Sequence, residues 1–199
     1  MAPVKIHPEK LPGPWRKGYV LEGRHTLSSK FQGYDATGNP RFDTEYSELG
    51  ELVFRLKNRN DKNAVDSIAE TAVQFIKDWK PEFDLIVPVP PSRKRRTYQP
   101  VVEIATAIGA MLAMSVRTNV VTKIKDTPQL KDIPDYKERI KLLQGAFQVN
   151  RDAVRGKGLL LVDDLYRSGA TAAVVAQCLL TGGAAHVYML AMTKTRTKR

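Results

Sequence analysis

One cysteine, Cys178, stands among 199 residues. It permits no internal disulfide and no cysteine-built zinc cluster, because either needs partners at set spacing. Long apolar runs are missing too: none approaches the ~18 residues that a membrane helix requires. Met1 to Pro14 carries Pro3, Pro8, Pro12 and Pro14 among Lys5, Glu9 and Lys10, so it lacks the apolar stretch of a secretory signal and a cytoplasmic location is expected. There is no internal repeat and no low-complexity tract. The 42% of hydrophobic residues excludes a disordered or collagenous chain and suffices, at this length, for one domain with a buried core.

Charge of one sign is in excess, 32 basic against 21 acidic side chains for a net +11. Residues 1–63 hold 11 basic and 8 acidic groups, leaving 21 and 13 for the remainder. Arg93, Lys94, Arg95 and Arg96, with the tail residues Lys194, Arg196, Lys198 and Arg199, account for the excess in that second part. A basic balance concentrated in one loop and one tail fits an anion-binding loop plus a frayed end better than a broad nucleic-acid face.

Trp15 to Thr44 mixes β-prone pieces with turn chemistry at residues 35–40, where Gly38 and Asn39 tolerate positive φ and Pro40 breaks a ladder. It reads as a small irregular β appendage, a hood spanning 1–44 before a core unit at 45–199. Leu49, Leu52, Val53 and Leu56 mark an amphipathic helix over 45–58, and Val65 to Ile76 a second, ended by Lys80-Pro81. Residues 84–89 form an apolar strand without alternation, as a strand buried on both faces would. A third helix covers 101–112, further strands lie at 120–122, 159–162 and 187–192, and an almost wholly apolar helix covers 170–181, ended by Gly182-Gly183. Alternating strands and helices predict an α/β fold with a doubly wound, mainly parallel sheet. Ligands on such sheets sit beyond the carboxyl ends of the strands.

At one such end Leu159 to Val162 runs into Asp163-Asp164, and the string Leu165, Tyr166, Arg167, Ser168, Gly169, Ala170, Thr171 opens the next helix. Two adjacent carboxylates can each accept a hydrogen bond from a vicinal hydroxyl of a ribose. The loop after them offers what a phosphate monoester binds: helix N-terminal N–H groups, two hydroxyls, and a glycine that lets backbone approach.

This string resembles the phosphoribosyl-pyrophosphate (PRPP) motif of type I phosphoribosyltransferases. Residues 86–96, 126–129, 137–139 and 145–147 are similar, more narrowly, to the ComF-like branch, although the cysteine-rich zinc module that often precedes such domains is absent. The resemblance implies PRPP or a nucleoside monophosphate as ligand, Mg2+ accompanying the pyrophosphate, and displacement at the anomeric carbon. By position it implies that Asp163 and Asp164 hold the ribose hydroxyls and meet metal only through ligand or water. Residues 165–171 would form the PRPP loop, and Arg167 to Thr171 would cradle the 5′-phosphate. Pro91, Ser92, Arg93 and Lys94 occupy the place of the pyrophosphate loop, with Arg93 in a catalytic electrostatic role. Lys123, Lys125, Lys137 and Arg139 fall in the stretch matching a flexible lid.

Arg167 stands where the family usually has Thr or Ser, and residues 96–100 replace a more usual glycine-containing segment. These departures motivate a second expectation, a nucleotide-sensing module acting on a nucleic-acid or protein partner, beside the phosphoribosyl-transferring enzyme. A homodimer is a further expectation of this fold. His25 reads as a structural hydrogen bonder, Cys178 as a small buried hydrophobe, and Trp15, Tyr19, Phe31 and Tyr34 as the small core of the hood rather than a base-stacking surface.

Overall fold

The structure, a computed structural model, describes residues 2–91, 98–128, 130 and 133–195. In chain order its elements are β1 (Glu9–Lys10), β2 (Lys17–Glu22), β3 (Thr26–Tyr34), β4 (Pro40–Tyr46), α1 (Glu48–Asn58), α2 (Ala64–Trp79), β5 (Leu85–Pro88), α3 (Pro100–Leu112), β6 (Val121–Lys123), α4 (Tyr136–Leu143), β7 (Phe147–Val149), α5 (Arg151–Val154), β8 (Gly158–Tyr166), α6 (Ala170–Thr181) and β9 (His186–Lys194). The central sheet runs β1-β2-β9-β8-β5. Its β2, β9, β8 and β5 pair parallel, and only β1 is antiparallel. The expected α/β architecture with a mainly parallel sheet is therefore present.

Alternation along β8 explains why its sequence is apolar throughout. Leu159 and Leu161 point into one layer with Val175, Ala176 and Leu179 of α6, whereas Leu160 and Val162 point into the other with Ile68 of α2 and Ile104 of α3. All four strand side chains are fully buried. Each such burial contributes about 1.5–3 kcal/mol, which leaves no position for a polar residue until the strand leaves the core. No helix among the described residues is long and apolar enough to cross a membrane.

Three readings of the sequence need correction. Lys17–Glu22, expected in the irregular appendage, is a strand of the central sheet beside β9. Trp15 and Tyr19 accordingly serve the main core: the Trp15 indole N–H donates to the Leu11 carbonyl at 2.8 Å, and Tyr19 packs edge-on against Phe75 and Trp79 of α2. The strand at 120–122 does not join the main sheet. Ile86 of β5 instead exchanges hydrogen bonds with Ser115 and Arg117, and β6 pairs antiparallel with β7. That backbone segment occupies the edge of β5 that Val121 would have needed. Lys194, assigned to a frayed tail, is the last residue of β9, in register with Tyr166 and bonded to Glu9 at 3.1 Å. Arg196, Lys198 and Arg199 lie outside the described residues, as does the basic run at 93–96.

β3 and β4 form a separate hairpin joined by the turn expected at 35–40; Gly38 takes the left-handed φ of +82° there, but Asn39 does not, and Pro40, expected to break the ladder, is the first residue of β4, in register with Tyr34. The Asp35 carboxylate accepts from the backbone N–H groups of Thr37 and Asn39 at 2.8 and 2.9 Å. Phe31, Phe42 and Tyr34 cluster on it and remain exposed. At its base Tyr46 stacks on Phe54 of α1, and the Ser47 side chain caps α1 through the Gly50 N–H. Cys178 is half-buried rather than fully buried, packed against the core layer on the α6 side of the sheet.

Helix α1 sits against the backbone that enters the hairpin with no room to spare. A Cβ on Gly50 would lie 2.2 Å from the His25 carbonyl oxygen. Gly50→Ala is therefore expected to push α1 away from residue 25 and to destabilise the protein by about 1–3 kcal/mol, read as a lowered midpoint in urea denaturation.

Candidate functional site

The site arises from a mismatch of strand lengths. β5 pairs with β8 only as far as Pro88 opposite Val162, whereas β9 continues beside β8 through Asp163, Leu165 and Tyr166. The acidic pair thus lies on an ordered strand with one edge no longer covered by β5. Sequence reading ended this strand at Val162; pairing with β9 carries it four residues further.

Past the strand the chain turns through Arg167 and Ser168 to Gly169, which caps α6 at φ +76°. Glycine is required there twice over. The φ is left-handed, and a Cβ would fall 2.0 Å from the Tyr166 hydroxyl oxygen. Tyr166 is consequently buried beneath the loop instead of lining it.

A cavity of about 670 Å3 opens over these elements, within the range of small-molecule sites. Asp163, Asp164, Leu165 and residues 167–171 form one wall. Val89, Pro90, Pro91 and Gln99 come from the β5 side, and Lys123, Thr127 and Arg139 from the stretch between β6 and α4. Of the residues expected in the lid, Lys123 and Arg139 line the cavity, with Lys123 Nζ donating to Thr127 Oγ1 at 2.7 Å and Arg139 Nε to the Ile133 carbonyl at 2.5 Å. Lys125 and Lys137 do not line it; Lys125 lies beside Gly145, and Lys137 is exposed on α4. Pro91 is at the rim, whereas Ser92, Arg93 and Lys94 lie outside the described residues. Phe31 and Tyr34 do not reach the cavity either.

Sequence reasoning missed Lys57. It sits in the last turn of α1, where it reads as one charge of a solvated helix face. In the fold its Nζ donates to Asp164 Oδ1 at 2.9 Å, and both side chains are largely shielded, 26% and 12% exposed. No local signal connects residues 107 positions apart.

The Asp164 N–H donates to Asp163 Oδ1 at 2.9 Å. Burial, reinforced by the Asp164 charge, pushes the Asp163 carboxyl well above the usual carboxylate range, and Lys57 only partly opposes this. Behind the pair His25 is buried. Its Nδ1 is 3.0 Å from Thr193 Oγ1, and that hydroxyl in turn donates to the Asp164 carbonyl at 3.4 Å. Burial first, and the Lys57 charge second, lower the His25 pKa to about 4, so the ring is neutral and structural, as its sequence context suggested. Among the described residues no three His, Cys, Asp or Glu side chains gather as a metal site.

Among the described residues the lining side chains carry four cations, Lys57, Lys123, Arg139 and Arg167, and two carboxylates. Such a cleft suits an anionic ligand that also bears hydroxyl groups.

The open, mainly parallel sheet with helices on both faces is the type I phosphoribosyltransferase fold, shared with glutamine PRPP amidotransferase. Glutamine PRPP amidotransferase from B. subtilis, complexed with ADP and GMP, superimposes over 79% of this chain and 34% of its own, with 15% identity and a TM-score of 0.50. The chain spans about a third of that protein. Adenine phosphoribosyltransferases from Saccharomyces cerevisiae and Giardia lamblia also match, at 15% and 12% identity, covering 84% and 83% of this chain and 84% and 81% of theirs, with TM-scores of 0.45 and 0.48. No family model matches the chain, and no curated protein matches it in sequence.

The neutral His25 makes an acid-sensitive contribution to stability. Its folded pKa lies below the ordinary value of 6.5, so the unfolded chain takes up a proton that the folded one refuses, and stability falls as pH drops from 6.5 towards about 4. This contribution amounts to about 3 kcal/mol. Asp163 acts in the opposite sense. Its carboxyl keeps a proton that the unfolded chain has lost, so its contribution falls as pH rises from the ordinary carboxylate range towards its raised folded value. His25→Gln is expected to flatten the loss of stability between pH 6.5 and 4, measured by urea denaturation at stepped pH; an unchanged slope would contradict the assignment.

Proposed function

We propose that the protein binds PRPP or a nucleoside monophosphate in this cleft and transfers phosphoribose to a nitrogen acceptor with release of pyrophosphate. The carrying observation is that Asp163 and Asp164, on the uncovered edge of β8, share one cavity with the Arg167–Thr171 turn at the start of α6. Ribose hydroxyls donate to the carboxylates, and the 5′-phosphate meets the turn one loop away. In the reaction the bond from the anomeric carbon to pyrophosphate breaks, pyrophosphate keeps the electron pair, a bond to the acceptor nitrogen forms, and that nitrogen gives up its proton to solvent. Lys123 and Arg139, with Ser92, Arg93 and Lys94 of the pyrophosphate-loop segment, offset the charge that develops on the leaving group. The substrates carried in the names of the fold relatives, PRPP and adenine, belong to the same chemistry.

Two carboxylates, one already tied to Lys57, do not make a cage for a resident cation. They do fit a Mg2+ ion carried on the pyrophosphate and met through water, where it would supply charge neutralisation of the leaving group. The ComF-like likeness of residues 86–96 and 126–129 belongs to this proposal as the narrower assignment. So does the hood role, which falls to the β3–β4 hairpin between β2 of the central sheet and α1.

Calorimetric titration with Mg2+-PRPP tests the reading. The wild type is expected to bind, and the folded Asp163→Asn, Asp164→Asn double variant to lose at least about tenfold in affinity. Gly169→Ala, which must displace Tyr166, is expected to weaken binding as well. Normal binding with no consumption of PRPP over a panel of bases and amines would favour the nucleotide-sensing module, to which the bulk of Arg167 also points; no binding by the folded wild type would end both readings.

A further inference from the structure

We infer that Lys57 is a positioning residue that balances the charge of the acidic pair, so that phosphoribosyl ligands enter this cleft without a divalent cation on the protein. The inference rests on the proposed reading of the cleft and adds to it a residue and a cation dependence.

The geometry is specific. The Lys57 ammonium contacts Asp164 Oδ1 at 2.9 Å within the cavity, and Asp163 adjoins through the Asp164 N–H at 2.9 Å. The lysine is delivered by a fixed element. Leu49, Val53 and Leu56 bury one side of α1 completely, Ser47 caps its start, and Phe54 stacks on Tyr46 at 4.7 Å. From the last turn of such a helix an ammonium also complements the negative helix end.

Without this cation the charge of Asp164, beside an Asp163 whose own ionisation burial already opposes, would face an incoming phosphate uncompensated, and like charges in a shielded cleft repel strongly. A divalent metal could relieve that repulsion, yet among the described residues no third carboxylate, His or Cys completes a metal site. Lys57 meets the same electrostatic need with a single charge. It does so without closing the pair to ligand, because a carboxylate offers about four lone-pair positions and the ammonium at Oδ1 leaves acceptor capacity for a ribose hydroxyl. The cation that accompanies pyrophosphate then travels with PRPP and is not a condition for holding ribose.

The test uses ligands without pyrophosphate, AMP and ribose 5-phosphate, titrated calorimetrically in EDTA and in excess Mg2+. Wild-type affinity is expected to change less than about threefold between the two buffers. Lys57→Met is expected to lose at least about tenfold in EDTA and to recover most of that loss in Mg2+, whereas Lys57→Arg keeps near-wild-type affinity in both. Matched thermal midpoints for the variants establish folding; should Lys57→Met not fold, Lys57→Gln carries the same comparison. Lys57→Met binding like the wild type in EDTA would overturn the inference, as would a loss that Mg2+ leaves untouched. Wild type that binds neither probe in either buffer, while folded, would instead overturn the reading of the cleft itself.

Discussion

Everything at the candidate site depends on β8 outlasting β5. Four pairs hold the two strands together, and then β5 turns away while β9 keeps β8 ordered for four more residues. A carboxylate on a fully paired central strand would be buried without partners, at a cost of several kcal/mol. On a loop it would lack a fixed position. The overhang supplies both a rigid backbone and an uncovered edge, and the glycine-capped start of α6 follows within one turn of chain. The same construction makes the site a product of the core, because the register that buries Leu159 to Val162 also sets where Asp163 emerges.

Electrostatically the cleft is a coupled unit. Lys57 offsets the charge of Asp164, burial and Asp164 together raise the proton affinity of Asp163, and the charge of Lys57 helps keep His25 neutral behind the pair. His25 in turn joins the hairpin to the sheet: its N–H donates to the Lys194 carbonyl at 2.9 Å, while its own carbonyl accepts from the Ser47 N–H, just ahead of α1. The backbone that opens the hairpin and the helix that delivers Lys57 are therefore pinned to the strand that neighbours the acidic pair.

Much of this was legible in the amino-acid order because the signals are local. Apolar runs of four to six residues separated by amphipathic helices specify a parallel sheet, since only burial on both faces tolerates such strands. The string from Asp163 to Thr171 carries its own context, a strand before and a helix after, so its place at a strand end could be inferred without coordinates. Gly169 was read as a glycine that lets backbone approach, whereas its left-handed φ and the Tyr166 hydroxyl beneath it emerged only in the fold. The turn at 35–40 was equally plain in place, although the Asp35 carboxylate that accepts from the N–H groups two and four residues on was seen only in the fold.

What escaped was non-local. Lys17–Glu22 looks like appendage because its place beside β9 is decided by an edge formed more than 160 residues later, and Val121 looks like a sheet strand because nothing nearby reveals that Ser115 and Arg117 have taken the edge of β5. Lys57 is the clearest instance, a surface lysine by helical periodicity that packing turns into the counter-ion of Asp164. The sequence by itself determined β5, β8 and β9, the helices α1, α2, α3 and α6, the two-faced burial of those strands and the succession of an acidic pair and a glycine-containing turn, since these follow from side-chain periodicity and backbone preference within a few residues; α4, β7 and α5, inside and after the stretch read as a flexible lid, it did not. The tertiary structure alone decided which edges were free, which cations face the carboxylates and how far each group's proton affinity moves, because those depend on distances and burial between segments that the chain brings together only on folding.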